Sequence, residues 1–462
     1  MDRLQDTAQD AYRLIVTRRD GSEVLLSSRD SAWSLPSVEI SRGQRIAAQL
    51  CAKLYAQCGF RAYCLLVPTL TPGNLHCAVM EVPDPGETAS AGTCWIPLDA
   101  AICAEMESAE DRTVTQRSLE ELGFYRREPN HGPFARLGWL PELFAWSEQQ
   151  LSPLGVHLTG SFTQLNASPT FSLMRLETND TAVWFKATGE PNLHEFPVTL
   201  ALARLFPEYV PRVLGVHTSC NGWLSEEAPG MLLEDCEELA FWERVARKLA
   251  ELQLASVGKC AELLESSCKD LRLPELIKHV DPFLARMAEF MVAQVKRSPQ
   301  ALDTTSLTLL SERLKEACAL LHELHLPDTL GHVDFNPGNI VVSPTTCCFL
   351  DWAEGCVSHP FLTFEYLREH LRRRLGERDA AAERITAAYL RPWQPGCSPG
   401  TARQALIISP LLAVFCAAVA DQAWRSVDPL QDSRVAGYFR SLTRRMFREA
   451  AEMVQESERC GN

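Results

Sequence analysis

No C-x-x-C pair occurs in the chain, so its seventeen cysteines lack the ligand spacing of a structural zinc site. Their number is odd and their positions are scattered. That pattern suits the reduced, mostly buried thiols of a cytosolic (cytoplasmic) protein and argues against a disulfide framework. Basic charge is also short: 45 Lys and Arg stand against 59 Asp and Glu, a net charge of −14. Bulk association with nucleic acid or an anionic membrane is disfavoured on that account. The opening stretch MDRLQDTAQDAYRL holds no apolar core and does not read as a secretory signal. The most apolar window, ALIISPLLAVFCAAVA at 405–420, is short for a bilayer and is interrupted by Pro410, so a buried helix is expected there. No internal repeat is visible, and the ten tryptophans form no stripe.

What is present has globular proportions: 46% hydrophobic and 23% charged residues over a length of 462. At roughly 100–200 residues per domain, that length predicts two or three domains with a large core. Residues 11–128 read as α/β. AYRLIVTRR and SEVLLSS flank the turn RDGS as a hairpin, and RGQRIAAQLCAKLYAQCGF carries Ile46, Leu50 and Leu54 at helical spacing before a C-cap at Gly59. AYCLLVPTL and LHCAVMEV predict two more strands, and PDPGETASAGT a loop. A helix and a Pro/Gly-rich linker close this part, and WLPELFAWSEQQL follows as a packing helix with Trp139, Leu143 and Trp146 on one face. Between 155 and 231 the chain predicts strands around one helix, NLHEFPVTLALARLFP, with Pro197 in its first turn. Beyond Glu234 it is mostly amphipathic helix.

One stretch breaks that habit. LGHVDFNPGNIVVSPTTCCFLDW, at 330–352, sets His332, Asp334 and Asn339 on a short turn between apolar runs and adds Asp351 at the end of a strand. A buried strand pair has no use for those groups. Phosphoryl transfer does: a hydroxyl must be positioned and its proton accepted, Mg²⁺ must bridge phosphates, and a cation must hold the α- and β-phosphates. Asp334 suits the first task, and Asn339 and Asp351 offer Mg²⁺ the oxygen ligands it prefers.

The pieces GHVDFNPGNIVV and FLDWAEG resemble the aminoglycoside phosphotransferase / choline kinase family, whose fold is that of protein kinases. The resemblance spans about 155–375 and implies Asp334 as catalytic base, Asn339 and Asp351 as Mg²⁺ ligands, and His332 as a brace for the loop. It also implies that Lys186 in VWFKAT holds the nucleotide, with Glu195 in NLHEF as its helix partner, and that the backbone from Leu224 to Glu227 in WLSEEAPG meets adenine. Two departures stand out. The phosphate loop TGSFTQLNASPT has one glycine, Gly160, leaving Ser161, Asn166 or Ser168 to cradle the phosphates. After Pro360 no acidic residue comes before Glu365, so the usual brace of the active-site loop is missing.

WSLPSVEISRGQRIAAQLCAKLYAQCGF resembles the Nudix box, with Leu35, Pro36, Glu39, Gly43 and Gly59 at the matching spacing. The carboxylates of that box are replaced by Ala52-Lys53 and Ala56-Gln57, so the Mg²⁺ cluster of a hydrolase cannot assemble. The resulting expectation is an α/β plus α+β chain. A Nudix-like α/β/α domain at 1–130 with a degenerate box leads through a linker helix at 131–150 to a bilobal kinase-like domain. Its N-lobe would span 151–231 and its helical C-lobe 232–462, the latter carrying the catalytic loop and the acceptor pocket.

The expected activity is transfer of the γ-phosphoryl group from ATP (or GTP), with Mg²⁺, to a hydroxyl of an aminoglycoside-like, amino-alcohol or related small metabolite. The competing reading is a non-catalytic scaffold or sensor that binds nucleotide or another ligand. Glu226, Glu227, Glu234, Asp235, Glu237 and Glu238 read first as a solvated face and second as a rim that attracts a cationic acceptor. His217, His279, His322, His325 and His370 read as ordinary core or surface residues, and oligomeric state is left open.

Overall fold

Alternation along the first long strand decides how the front of the chain is layered. Tyr12, Leu14 and Val16 join one apolar core, while Ile15 joins another. The structure is a computed structural model that describes residues 9–18, 21–29, 32–67, 76–84, 86, 88, 92–98, 106, 108–375, 379–394, 396–428 and 430–461. The turn residues Arg19 and Asp20, the end of the expected strand at 68–70 and parts of the expected loop at 83–93 lie outside the described residues. The chain divides into two units, Met1–Phe196 with Arg212–Glu227, and Pro197–Pro211 with Ala228–Asn462.

The first unit opens with β1 (Gln9–Arg18), β2 (Glu23–Arg29), β3 (Ala32–Ser34), β4 (Ser37–Ser41), α1 (Ile46–Cys58), β5 (Tyr63–Leu66), β6 (His76–Glu81) and β7 (Thr93–Pro97). Helices α2 (Ala109–Arg127) and α3 (Trp139–Leu151) follow. The strands form one sheet in the order β3-β2-β1-β6-β5, with β4 also on β1 and β7 on β2; β1 and β6 run parallel. On one face α1 contributes Ala47, Leu50 and Leu54, and Gly59 caps it with φ +79° and an N–H to the Tyr55 carbonyl. The inward stripe begins one residue later than the spacing suggested: Ala47 is buried and Ile46 is exposed. On the other face lie Trp139, Leu140 and Leu143 of α3. The segment read as a linker is no loose tether, because Phe134 and Ala135 are buried in the same core.

A second sheet in this unit consists of β8 (Leu158–Ala167), β9 (Ser172–Thr178), β10 (Val183–Ala187), β11 (Val213–His217) and β12 (Gly222–Glu226), in the order β11-β12-β10-β9-β8. Between β10 and β11 runs α4 (Glu195–Leu205), with Pro197 in its first turn, and its later residues belong to the second unit. Strand alternation gives this sheet two unlike faces. Met174, Leu176, Val183, Phe185, Ala187 and Leu224 share the core of Ile15, Trp139 and Leu143. Leu173, Arg175, Trp184 and Lys186 turn the opposite way.

The second unit is helical: α5 (Leu239–Ser256), α6 (Val280–Val292), α7 (Thr304–Glu323), α8 (Pro360–Leu375), α9 (Asp379–Trp393), α10 (Pro399–Ala420) and α11 (Ser433–Gly461), with several one-turn helices between them. Two small sheets sit among these helices. One orders β13 (Met231–Leu232), β16 (Ile340–Val342) and β17 (Cys347–Phe349); the other orders β14 (Lys269–Leu271), β18 (Gly355–Ser358) and β15 (Thr329–His332). Trp242, Phe283, Leu310, Phe415 and Phe439 meet in one core.

Helix α10 exceeds the sixteen-residue window read from sequence. It has 22 residues and runs on through Pro410. By length and composition alone it could cross a membrane, and 67% of its most apolar window is buried within the protein. Pro410 removes one backbone donor, and beside it the Ser409 hydroxyl donates to the Ala405 carbonyl at 2.5 Å. No disulfide joins the described cysteines, and most of them are buried.

Candidate active site

The polar stretch at 330–352 lies wholly in the second unit, and strand register brings its parts together. In the β16–β17 hairpin Ile340 pairs with Phe349, so the residues just outside the pair, Asn339 and Leu350, face each other; the Leu350 N–H donates to the Asn339 carbonyl at 2.8 Å. Asp351 comes next. It is exposed and has φ +62° and ψ +58°, a left-handed backbone that non-glycine residues rarely adopt.

From the other side His332, the last residue of β15, reaches the same point: its Nε2–H donates to the Leu350 carbonyl at 3.1 Å. The imidazole is 2% exposed, and burial holds it below the ordinary histidine range, so it acts as a neutral donor. It packs beside the Trp352 and Phe335 rings. The loop bracing expected of His332 thus has a specific object, the backbone immediately before Asp351.

Between these strands the loop folds on its own side chains. Asn339 Nδ2 donates to the Asp334 carbonyl at 3.1 Å and to Asp334 Oδ2 at 3.3 Å, and Asn336 Nδ2 donates to Asp334 Oδ1 at 2.9 Å. Asp334 is exposed. Its carboxylate is therefore oriented by two amides while open to a reactant. With its Nδ2 turned to Asp334, Asn339 keeps its amide oxygen as a donor for a cation.

No acidic residue stands between Pro360 and Glu365, but a hydroxyl there makes a contact with β15. Thr363 Oγ1 accepts the His332 N–H at 2.9 Å, from the first turn of α8. Glu365 is buried with Arg368 at 2.7 Å and Arg372 at 2.5 Å. Gly331 makes the Thr363 contact fit, since a Cβ there would lie 2.6 Å from Ser358 Oγ and 2.9 Å from Thr363 Oγ1. Gly331→Ala is expected to lose about 1–3 kcal/mol of stability. An unchanged urea midpoint would refute that packing argument.

Two more residues sense the Asp334 carboxylate and were not singled out as site residues. Its charge raises the affinity of His370 on α8 for a proton, although burial dominates and lowers that pKa. Tyr438 on α11 is pushed up by burial and then by Asp421, Asp334 and Glu354. Both α8 and α11 thus carry a titratable group that feels the Asp334 charge.

His359, just before α8, is 1% exposed, and neither ring nitrogen has a hydrogen-bond partner among the described residues. Burial lowers its pKa to about 3. Below about 6.5 the unfolded chain takes up a proton there that the folded chain refuses, so stability falls as pH drops from about 6.5 toward 3, at up to roughly 1.4 kcal/mol per pH unit. His359→Phe should flatten that slope in urea titrations at pH 7 and pH 5. An equally steep loss in the variant would assign the slope to other groups.

The residues expected to meet the nucleotide stand in the first unit. Lys186 on β10 pairs with Glu195 at the start of α4, and Glu195 is 2% exposed. Register aligns Lys186 with Leu173 and, across β9, with Asn166, near the β8–β9 turn. That turn is Ser168–Phe171, closed by the Phe171 N–H to Ser168 Oγ at 2.9 Å, with the Phe171 ring 5.9 Å from Lys186 Nζ.

Ser161 is not brought to this end. It precedes Phe162, which pairs with Leu176 further along β9. Leu224 lies on the interior strand β12, paired on both sides, and the Glu227 N–H goes to the Ala182 carbonyl at 3.3 Å. The Glu227 side chain accepts from Arg175 at 2.7 and 3.0 Å and from Trp184 Nε1 at 3.2 Å, and the guanidinium holds its carboxyl below the usual range. Strand pairing thus engages the Leu224 backbone and the Glu227 N–H, the two ends of the stretch expected to meet adenine.

Residues 192–400 match the model of the phosphotransferase enzyme family. The match covers less than half of the chain, and it marks the protein as a kinase-type enzyme whose acceptor is a hydroxyl group. Among solved structures, a choline kinase from Cryptosporidium parvum Iowa II is 12% identical, with 74% of this chain and 97% of that one covered and a TM-score of 0.46. A macrolide 2'-phosphotransferase from Brachybacterium faecium is 16% identical over 66% of this chain and 98% of that one, with a TM-score of 0.45. An ethanolamine kinase from Plasmodium vivax is 16% identical over 63% and 84%, with a TM-score of 0.44. These likenesses are distant, and the assignment rests on the family match. No curated protein matches the chain.

The matched stretch includes Glu195 and the whole loop from His332 to Asp351, while Lys186 lies just ahead of it. Among the described residues no group of three or more His, Cys, Asp or Glu is placed to hold a metal. Asn339 and Asp351 are a pair of oxygen donors. That fits Mg²⁺, which takes few protein ligands when phosphates and water complete its shell.

Proposed function

We propose that the phosphotransferase domain moves the γ-phosphoryl group of ATP, or of GTP, to a hydroxyl of an amino-alcohol, aminoglycoside-like or related small metabolite in the cytoplasm. The observation that carries this reading is the hairpin register that sets Asn339 against Leu350–Asp351 while the Asn339 amide holds Asp334. In this reading Asp334 orients the acceptor hydroxyl and takes its proton as the oxygen attacks the γ-phosphorus and the bond to the nucleoside diphosphate breaks. Asn339 and Asp351 would hold Mg²⁺, which neutralises phosphate charge when bound. His332 fixes the peptide before Asp351. Lys186, held by Glu195, is assigned to the nucleotide phosphates, with the Ser168–Phe171 turn as phosphate loop in preference to Ser161.

The front of the chain supports a Nudix-like domain without hydrolase activity. Its mixed sheet has a parallel β1–β6 pair, and the face of α1 bordering a cavity of about 220 Å³ offers Ala48, Cys51, Ala52 and Tyr55 but no carboxylate. The four-part division at 130, 150 and 231 stays a proposal about function. The test is a screen of acceptor alcohols, amino-alcohols, aminoglycosides and sugars for ADP or GDP release by the full chain with Mg²⁺. Release with one class identifies the acceptor. Release with none, together with no thermal response to either nucleotide, would favour the non-catalytic scaffold.

A further inference from the structure

The hairpin that carries the turn at Ser168–Phe171 is gripped by parts of the chain that precede it. Both β5 and β8 are edge strands of their sheets. An edge leaves backbone N–H and C=O groups without a neighbouring strand. At Cys64, on β5, the side chain of Gln164 from β8 satisfies both groups: the Cys64 N–H donates to Gln164 Oε1 at 2.7 Å, and Gln164 Nε2 donates to the Cys64 carbonyl at 2.9 Å. A side-chain amide has the same donor and acceptor as a peptide group, so Gln164 stands in for one more strand residue. It is 2% exposed, so water does not compete for these bonds.

Two further contacts continue the grip toward the turn. Arg45 Nη1 donates to Asn166 Oδ1 at 2.8 Å. The Phe134 N–H donates to the Pro169 carbonyl at 3.1 Å, inside the turn itself. Gln164, Asn166 and Pro169 are thus held from Cys64, Arg45 and Phe134, all within the first unit. A phosphate loop built only as a hairpin would depend on its own two strands. Here the preceding domain, with Phe134 of the segment that follows it, supplies an outside support, at the end of the sheet where register places Lys186.

We infer that the front domain is a fixed brace for the phosphate loop, and that Gln164 is a positioning residue for the nucleotide phosphates. This rests on the reading of Ser168–Phe171 as that loop. The brace gives residues 1–130 a task that needs no catalysis of their own, and it makes nucleotide affinity depend on the seam between the two sheets.

The experiment compares the full-length chain with Gln164→Leu, Gln164→Glu and Arg45→Ala by two readouts: hydrogen exchange over residues 166–172, and the KM for Mg-nucleotide with kcat measured alongside. Gln164→Leu should speed exchange in the turn and raise KM roughly three- to tenfold while kcat changes little. Gln164→Glu keeps the acceptor for the Cys64 N–H but sets a buried carboxylate oxygen against the Cys64 carbonyl, so it should shift both readouts at least as far as Gln164→Leu. Arg45→Ala alters an exposed contact and folds even where Gln164→Leu does not; it should shift both readouts in the same direction by less. Unchanged exchange in Gln164→Leu and Arg45→Ala would overturn the brace. Faster exchange with an unchanged KM would overturn the positioning role. If the unaltered chain binds no nucleotide, the kinase reading fails and the positioning role with it, while the exchange data still decide whether the seam holds the turn.

Discussion

Asp334→Asn should lower turnover of the acceptor found by screening about 10²–10⁴-fold, the usual contribution of a positioned general base. Nucleotide binding should survive. The substitution keeps the shape of the side chain and removes its ability to take a proton. Its two amide partners, Asn336 Nδ2 and Asn339 Nδ2, would then face an amide that can still accept one hydrogen bond through its oxygen. The loop should therefore hold its course, because it is also tied by the His332 and Leu350 bonds. The checks are kcat for the acceptor and the thermal shift with Mg-nucleotide. Turnover within tenfold of the unaltered chain would remove Asp334 from the role of base.

The second large effect joins a gain to a loss. Asp351 holds φ +62°, where a residue with a Cβ is strained by about 1–2 kcal/mol and glycine is not. Its carboxylate is exposed at the end of the β16–β17 hairpin. Asp351→Gly should therefore make the nucleotide-free protein slightly more stable and at the same time abolish its Mg-dependent stabilisation by nucleotide. For a ligand at about 100 times its Kd that stabilisation is about 2.7 kcal/mol, so its loss is easily read in a melting curve. A surface turn residue would show the first effect without the second. If Asp351→Gly still responds to Mg-nucleotide as the unaltered chain does, the metal assignment is wrong.

Local spacing singles out the candidate site because its residues are close in the chain. His332, Asp334, Asn339 and Asp351 lie on one strand–loop–hairpin stretch, where short turns and a paired hairpin leave little freedom. The helix ending at Gly59, the β1–β2 pair and α3 with its buried Trp139 were readable for the same reason: periodicity and capping are properties of neighbouring residues. Lys186 and Glu195 were found by order along the chain, and nine residues of separation suffice for a strand end and a helix start to meet.

What the sequence could not supply was anything that depended on which strand lies beside which. The sequence leaves Ser161, Asn166 or Ser168 to cradle the phosphates, and only register separates them: Ser161 lies away from Lys186, while Asn166 comes level with it beside the Ser168–Phe171 turn. Leu224 enters through the family resemblance of WLSEEAPG, and only the sheet order shows its backbone enclosed by two neighbours. Thr363 gains a part only because its hydroxyl on α8 reaches the His332 N–H, a contact between residues 31 apart. Gln164 carries no motif at all; its amide acquires a role only where two sheet edges meet, at a partner 100 residues away. Amino-acid pattern therefore decided the chemistry of the loop and the kinds of element around it, because both are written in short-range sterics and hydrogen bonding. Tertiary packing decided which side chains support that loop, because register and edge-to-edge contact are long-range choices among many that the same local pattern allows.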